Sequence, residues 1–181
     1  MDLTKKFGWD NLPGTGLSSK DYEKALFIEE HPHLAYNYDD GIAIHHYLQG
    51  LKAGKLIGRT CEGCGRTLIP PRMFCELCFR ATDEWVDLQD TGVVQTFAIC
   101  NVNWDASRIP DDQPRHLPAV IAIDGAGDKN GLMHLLGEVK PKDIHIGMHV
   151  QAVWKPEKER TGAITDIRYW KPIKTSKKKE A

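Results

Sequence analysis

Four cysteines in two tight pairs, Cys61-Glu-Gly-Cys64 and Cys75-Glu-Leu-Cys78, constrain this chain more than any other feature. A two-residue spacer lets both sulfurs of a pair turn toward one point, and Gly63 and Gly65 suit the tight backbone such a knuckle needs. The two knuckles are ten residues apart, close enough to share one ion. The chemistry this predicts is a tetrahedral tetrathiolate holding one structural Zn2+ ion on Cys61, Cys64, Cys75 and Cys78, with no open position for water. Iron is the chemical alternative for the same cage. A thiol redox pair is disfavoured, because such motifs come singly on a βαβ pattern that is missing here. Cys100 is unpaired and reads as a small buried hydrophobe. His31, His33, His45 and His46 lie outside the knuckles and read as helix-face or loop residues, since four thiolates already complete the sphere.

The chain of 181 residues is 41% hydrophobic, enough for a real core. No stretch approaches a membrane span or a signal peptide, so no membrane partner is expected. Paired cysteines in this arrangement also fit a reducing compartment, which makes the cytoplasm the expected address. The net charge of −1 is unevenly spread. Residues 52–80 hold six basic and two acidic groups, whereas residues 1–51 and 81–170 are acidic on balance. A basic segment on an acidic body suggests a local anionic ligand, against the alternative of a solvated charged face. Nucleic acid is an unlikely partner for a chain without a general basic excess.

Residues 1–20 read as an extended arm, rich in glycine, proline and serine. From Ser19 the pattern suits a short helix ending before Pro32. Between Gly41 and Gly54, the positions Ile44, Tyr47, Leu48 and Leu51 fall at helical spacing, with Gly50 and Gly54 as breakers. A helical hairpin therefore precedes the cysteines. After them the period drops to two, with strands expected at 93–100, 117–124, 132–139, 149–155 and 163–170. Five short strands suit a small closed barrel of the OB type, with only a turn at Lys140 to Met148. The predicted fold is thus mainly β with N-terminal helices: arm and helical hairpin (1–54), zinc ribbon of the rubredoxin-like kind (55–84), five-stranded OB-fold barrel (85–172) and a disordered basic tail (173–181). No hydrolase elbow, Walker loop or dinucleotide fingerprint is present, and no catalytic group is found.

This order of elements resembles the zinc-ribbon and OB-fold acyl-CoA-associated proteins, long known only as a domain of unknown function. The resemblance runs from about Ile42 to Pro172 and is most specific at Pro70-Pro71-Arg72, directly before the second knuckle. It implies a small non-catalytic subunit that joins a thiolase-fold or hydroxymethylglutaryl-CoA synthase-like enzyme in a hetero-oligomer. It also implies a site for coenzyme A or acyl-CoA between ribbon and barrel. Some members pair with thiolases of aromatic acyl-CoA degradation. The loop Asn101 to His116, with Trp104, Arg108 and Arg115, departs from the family pattern in its length and polarity.

Coenzyme A carries phosphates and a flat adenine, so its site needs cations and an apolar platform. Arg59, Arg66, Arg72 and Arg80 flank the knuckles, with Phe74 and Phe79 between them, and these six are the candidate nucleotide-binding residues. The alternative is that the two phenylalanines pack ribbon onto barrel while the arginines stay solvated. Partner surface is expected on the hairpin, at Tyr22, Leu26, Phe27, Leu34, Tyr36, Tyr38 and Tyr47. The competing reading is a nucleic-acid binder with Trp104 and Phe97 as stacking platforms.

Overall fold

The computed structural model describes residues 18, 20, 37–127 and 130–173. The arm, the first helix of the expected hairpin and the basic tail lie outside these residues. The described residues from Asp39 to Ile173 belong to one compact unit.

The unit begins with helix α1, Gly41–Ala53. Its end follows from Gly54, which takes a left-handed conformation and lets Gly54 N–H and Lys55 N–H close onto Leu51 O and Gly50 O. The helix buries Ala43, Tyr47, Gly50 and Leu51. Two expectations change here. Gly50 is not a breaker but a packing position in the helix, where an added Cβ would stand 2.6 Å from Ile57 Cδ1. Tyr47 is only 4% exposed and joins the core, so it contributes nothing to a partner surface.

Next come β1 (Leu56–Cys61), β2 (Arg66–Leu68), β3 (Phe74–Cys75), β4 (Arg80–Ala81) and β5 (Trp85–Leu88). They form a three-stranded antiparallel sheet, ordered β2-β1-β5, and the two-stranded hairpin β3-β4. Each cysteine pair thus sits at a hairpin turn. The remaining strands are β6 (Thr91–Phe97), β7 (Pro118–Ile123), β8 (Gly131–Leu135), β9 (His149–Trp154) and β10 (Ile167–Pro172). Each lies inside or beside an expected strand, because burial that alternates along a strand, as it does through β7, is what a period of two encodes. Lys140 to Met148 holds only a short 3-10 turn at Pro141–Asp143, as expected.

The five-stranded sheet runs β10-β9-β6-β7-β8 and is open rather than a closed barrel. Its two edges meet at one parallel bridge, Leu136 with Trp170, where Gly137 N–H also donates to Trp170 O at 2.9 Å. The core beneath it is shared. Tyr47 and Leu51 of the helix, Leu56 and Ile69 of the ribbon, and Val94, Ile121, Val150, Ile167 and Trp170 of the large sheet form one cluster. Trp170 and Leu51 are fully buried, each contributing about 2 kcal/mol or more by removal from water. One tertiary device stands out within the C-terminal segment. The fully buried Asp166 carboxylate accepts N–H bonds from Thr161, Gly162 and Ala163 at 2.7–3.1 Å, which fixes the loop leading into β10. Among the described residues no helix is long and apolar enough to cross a membrane.

Candidate functional site

The knuckles bring the four sulfurs of Cys61, Cys64, Cys75 and Cys78 within 4.8 Å of one another. The Cys64 and Cys75 sulfurs are 3.7 Å apart, against about 3.8 Å for an edge of a tetrahedron with 2.3 Å metal–sulfur bonds. The geometry therefore fits a four-coordinate structural ion, and its chemistry here is to tie two hairpins together. Backbone bonds shape both turns in parallel: Gly65 N–H donates to Cys61 O at 2.8 Å, and Phe79 N–H to Cys75 O at 2.9 Å. Cys100 stands apart, half-buried, with its N–H bonded to His116 O.

Arg66 closes the cage from outside. Its Nε donates to Cys64 Sγ at 3.4 Å, and one terminal nitrogen reaches Cys75 Sγ at 3.5 Å and Glu76 Oε1 at 3.0 Å. Four thiolates around a divalent ion leave a net charge of about −2, which the guanidinium partly offsets. The same contact holds the free Cys64 thiol below its ordinary pKa. Arg66 is thus committed to sulfur rather than standing free for phosphate.

The other arginines are less committed. Arg59 lies over the Trp85 ring at 4.5 Å and donates to the Thr82 hydroxyl at 2.6 Å and to Thr82 O at 3.2 Å. That hydroxyl in turn donates to Arg72 O at 2.6 Å, so a buried threonine locks both sides of the second knuckle. His46 packs on the same tryptophan at 4.3 Å. Neither Thr82 nor Trp85 was marked by any sequence pattern, because their roles depend on strands brought together from different hairpins. Arg72 pairs with Glu76 at 3.2 Å and Arg80 with Asp83 at 2.8 Å, both as surface ion pairs worth about 0–1 kcal/mol.

The phenylalanines do not pack the ribbon onto the large sheet. Phe74 is 50% exposed and Phe79 is 80% exposed, meeting edge to face at 6.3 Å between centroids. Met73 and Leu77 of the same knuckle are also exposed. Phe79 has φ +51, a left-handed conformation matched in the first knuckle by Gly65 at φ +70. A glycine position is therefore filled by a solvent-facing aromatic ring. Among the competing platforms, Trp104 is 99% exposed on a turn tied by Asn103 and Ser107, whereas Phe97 is partly buried against the core.

Two family models match consecutive stretches of this chain, "ChsH2, rubredoxin-like zinc ribbon domain" over residues 48–84 and "ChsH2, C-terminal OB-fold domain" over residues 85–155. A "DUF35 domain-containing scaffold protein" of Methanocaldococcus jannaschii is 35% identical over 121 residues, which cover 65% of this chain and 82% of that protein. The chain belongs to the DUF35 family. A crystal structure of a DUF35 protein of unknown function from Sulfolobus solfataricus is similar at TM-score 0.50 and 25% identity, covering 62% of this chain and 78% of that one. The DUF35 fold also appears in a structure described as an "Ltp2-ChsH2(DUF35) aldolase", at TM-score 0.51 and 20% identity over 77% of this chain and 98% of that one. As a DUF35 protein, this chain has the ribbon and OB-fold in the expected order, with the ribbon's metal cage formed by its four knuckle cysteines.

Proposed function

We propose that this chain is a non-catalytic, zinc-stabilised subunit that docks onto a thiolase-fold acyl-CoA enzyme in the cytoplasm and supports thiolytic C–C cleavage or condensation. The observation that carries this reading is Phe79. An L-residue in the left-handed region costs about 1–2 kcal/mol; the knuckle turn needs that conformation, but the ring itself meets only Phe74, edge to face, and is otherwise left to solvent. An aromatic ring held out to solvent at a position where glycine would be easier, beside the exposed apolar Met73, Phe74 and Leu77, supports reading this tip as an interface anchor. Two similar proteins lend support: a relative is named a scaffold protein, and a solved structure of similar fold is described as an "Ltp2-ChsH2(DUF35) aldolase". Zn2+ held by Cys61, Cys64, Cys75 and Cys78 keeps the tip in shape.

Coenzyme A or acyl-CoA is the ligand expected at this subunit's edge, with Arg72 and Arg80 the cations free enough to exchange a weak surface pair for a phosphate. Arg59 contributes through its stack on Trp85, Phe74 and Phe79 offer exposed ring faces at an angle to one another, and Arg66 serves the metal. An aromatic acyl chain suits a platform of this kind. The test is affinity purification of the tagged chain from its own cells, followed by mass spectrometry and an acyl-CoA cleavage assay. A thiolase-fold enzyme should copurify and lose activity when stripped of this chain. An enzyme fully active alone, with this chain monomeric in its presence, refutes the reading.

A further inference from the structure

We propose that the open seam between β8 and β10 is a binding site for a small oxyanion carried on an apolar body, such as a carboxylate or a phosphate ester. The seam comes from the topology. The sheet edges join at the single bridge of Leu136 with Trp170, and farther along the gap His134 Nε2 reaches across to Ile164 O at 3.3 Å. A cleft of about 400 Å³ lies here, lined by His134, Leu135, Lys155, Thr165, Ile167 and Arg168.

Two features, Arg168 and Lys155, point to a negative ligand. Arg168 is the extra residue of a β-bulge: the register passes from Ile167 opposite Trp154 to Tyr169 opposite Val153, skipping it. Bulges re-aim side chains, and this one makes Arg168 line the cleft with its guanidinium 5.8 Å from the centre of the Tyr169 ring. Lys155 has an ammonium 3.9 Å from Asp166, beyond hydrogen-bond length, while the Asp166 carboxylate is already filled by backbone N–H groups. Its donors therefore remain to be used. His134 donates its Nε2 proton to the Ile164 carbonyl, which leaves Nδ1 a buried acceptor closed off from solvent, so the imidazole spans the seam and supplies no donor to the cleft.

Among the described residues, no carboxylate lines the cleft. Asp166 sits behind Lys155, and Glu138, beyond the neighbouring Tyr169, accepts the Tyr169 hydroxyl at 2.7 Å. Leu135, 41% exposed, adds an apolar wall, which suits a ligand with a hydrocarbon part. Thr165 supplies a neutral donor at the rim. The site lies on the OB-fold sheet and shares no residue with the ribbon, so it stands or falls apart from the docking reading.

The test titrates the full zinc-loaded chain with inorganic phosphate and, separately, with benzoate, following ring and guanidinium NMR signals. Saturable shifts at His134 and Arg168 are expected with both probes, and tighter binding of benzoate is expected from the apolar wall. The double variant Lys155→Gln/Arg168→Gln should weaken binding by about tenfold or more, as loss of a charge-assisted bond implies, with zinc content and the folded spectrum unchanged. Arg168→Gln alone, at an exposed position, gives the same direction should Lys155 prove needed for folding. Absence of saturable shifts with both probes, or unchanged binding in Arg168→Gln, overturns the site. Binding of phosphate without benzoate overturns the apolar-body assignment.

Discussion

Replacing Phe79 by glycine separates folding from docking, because the two effects have opposite signs at this position. Phe79 holds φ +51 with its ring 80% exposed. Relief of the left-handed strain should stabilise the folded ribbon by about 1–2 kcal/mol. The extra freedom of glycine in the unfolded chain takes back about 0.5–1 kcal/mol. The variant should therefore be as stable as the parent or more stable by about 1 kcal/mol, with its zinc intact. Partner affinity should move the other way. Loss of an aromatic anchor costs about 2–4 kcal/mol, or roughly 30- to 800-fold in Kd. Chemical denaturation of the zinc-loaded chain measures the first quantity, and titration calorimetry against the copurified thiolase-fold enzyme the second. Phe79→Ala controls for ring loss without strain relief and should lose affinity equally while gaining no stability. A Phe79→Gly chain that binds its partner as tightly as the parent, or that is destabilised, refutes the reasoning.

Changing Cys64 or Cys78 to Ser should abolish stoichiometric zinc and unfold the ribbon, whereas Cys100→Ser should retain one ion per chain by elemental analysis, since binding free energy at such sites is folding free energy. Arg72→Ala combined with Arg80→Ala should weaken coenzyme A by about tenfold or more in calorimetry, and unchanged binding would remove the ribbon as the nucleotide site. Burial by itself would push the Asp166 carboxyl up, but the N–H groups of Thr161, Gly162 and Ala163, with Lys155 nearby, hold it below its ordinary range. Its contribution is therefore full above the unfolded carboxylate pKa of about 3.9 and is lost as pH falls through the lower folded value. Asp166→Asn should cost about 3 kcal/mol at neutral pH and flatten the fall in stability below about pH 4, read from denaturation midpoints across pH.

Local chemistry was enough to read the metal cage and the strands. Knuckle spacing is a short-range property, and burial alternates along β6 and β7 because each strand has one face on the core. Helix α1 was legible for the same reason, its periodic apolar positions lying within two turns of one another. What residues do on meeting distant neighbours was not. Gly50 looks like a breaker until Ile57 packs against it, and Tyr47 looks like surface until the ribbon and the large sheet close over it. The basic segment 52–80 showed charge but not commitment: only the folded ribbon places Arg66 on two sulfurs and Arg59 between Trp85 and Thr82. The count of five strands could not say whether the sheet closes, since closure depends on tilt and register across the whole sheet. Tertiary structure left the seam open and put the Arg168 bulge beside it, and it buried Asp166 among three N–H groups of its own loop. Sequence determines which groups are available, because residue type and spacing act over a few bonds. The fold decides which of them are committed to one another, because burial and pairing depend on neighbours far apart in the chain.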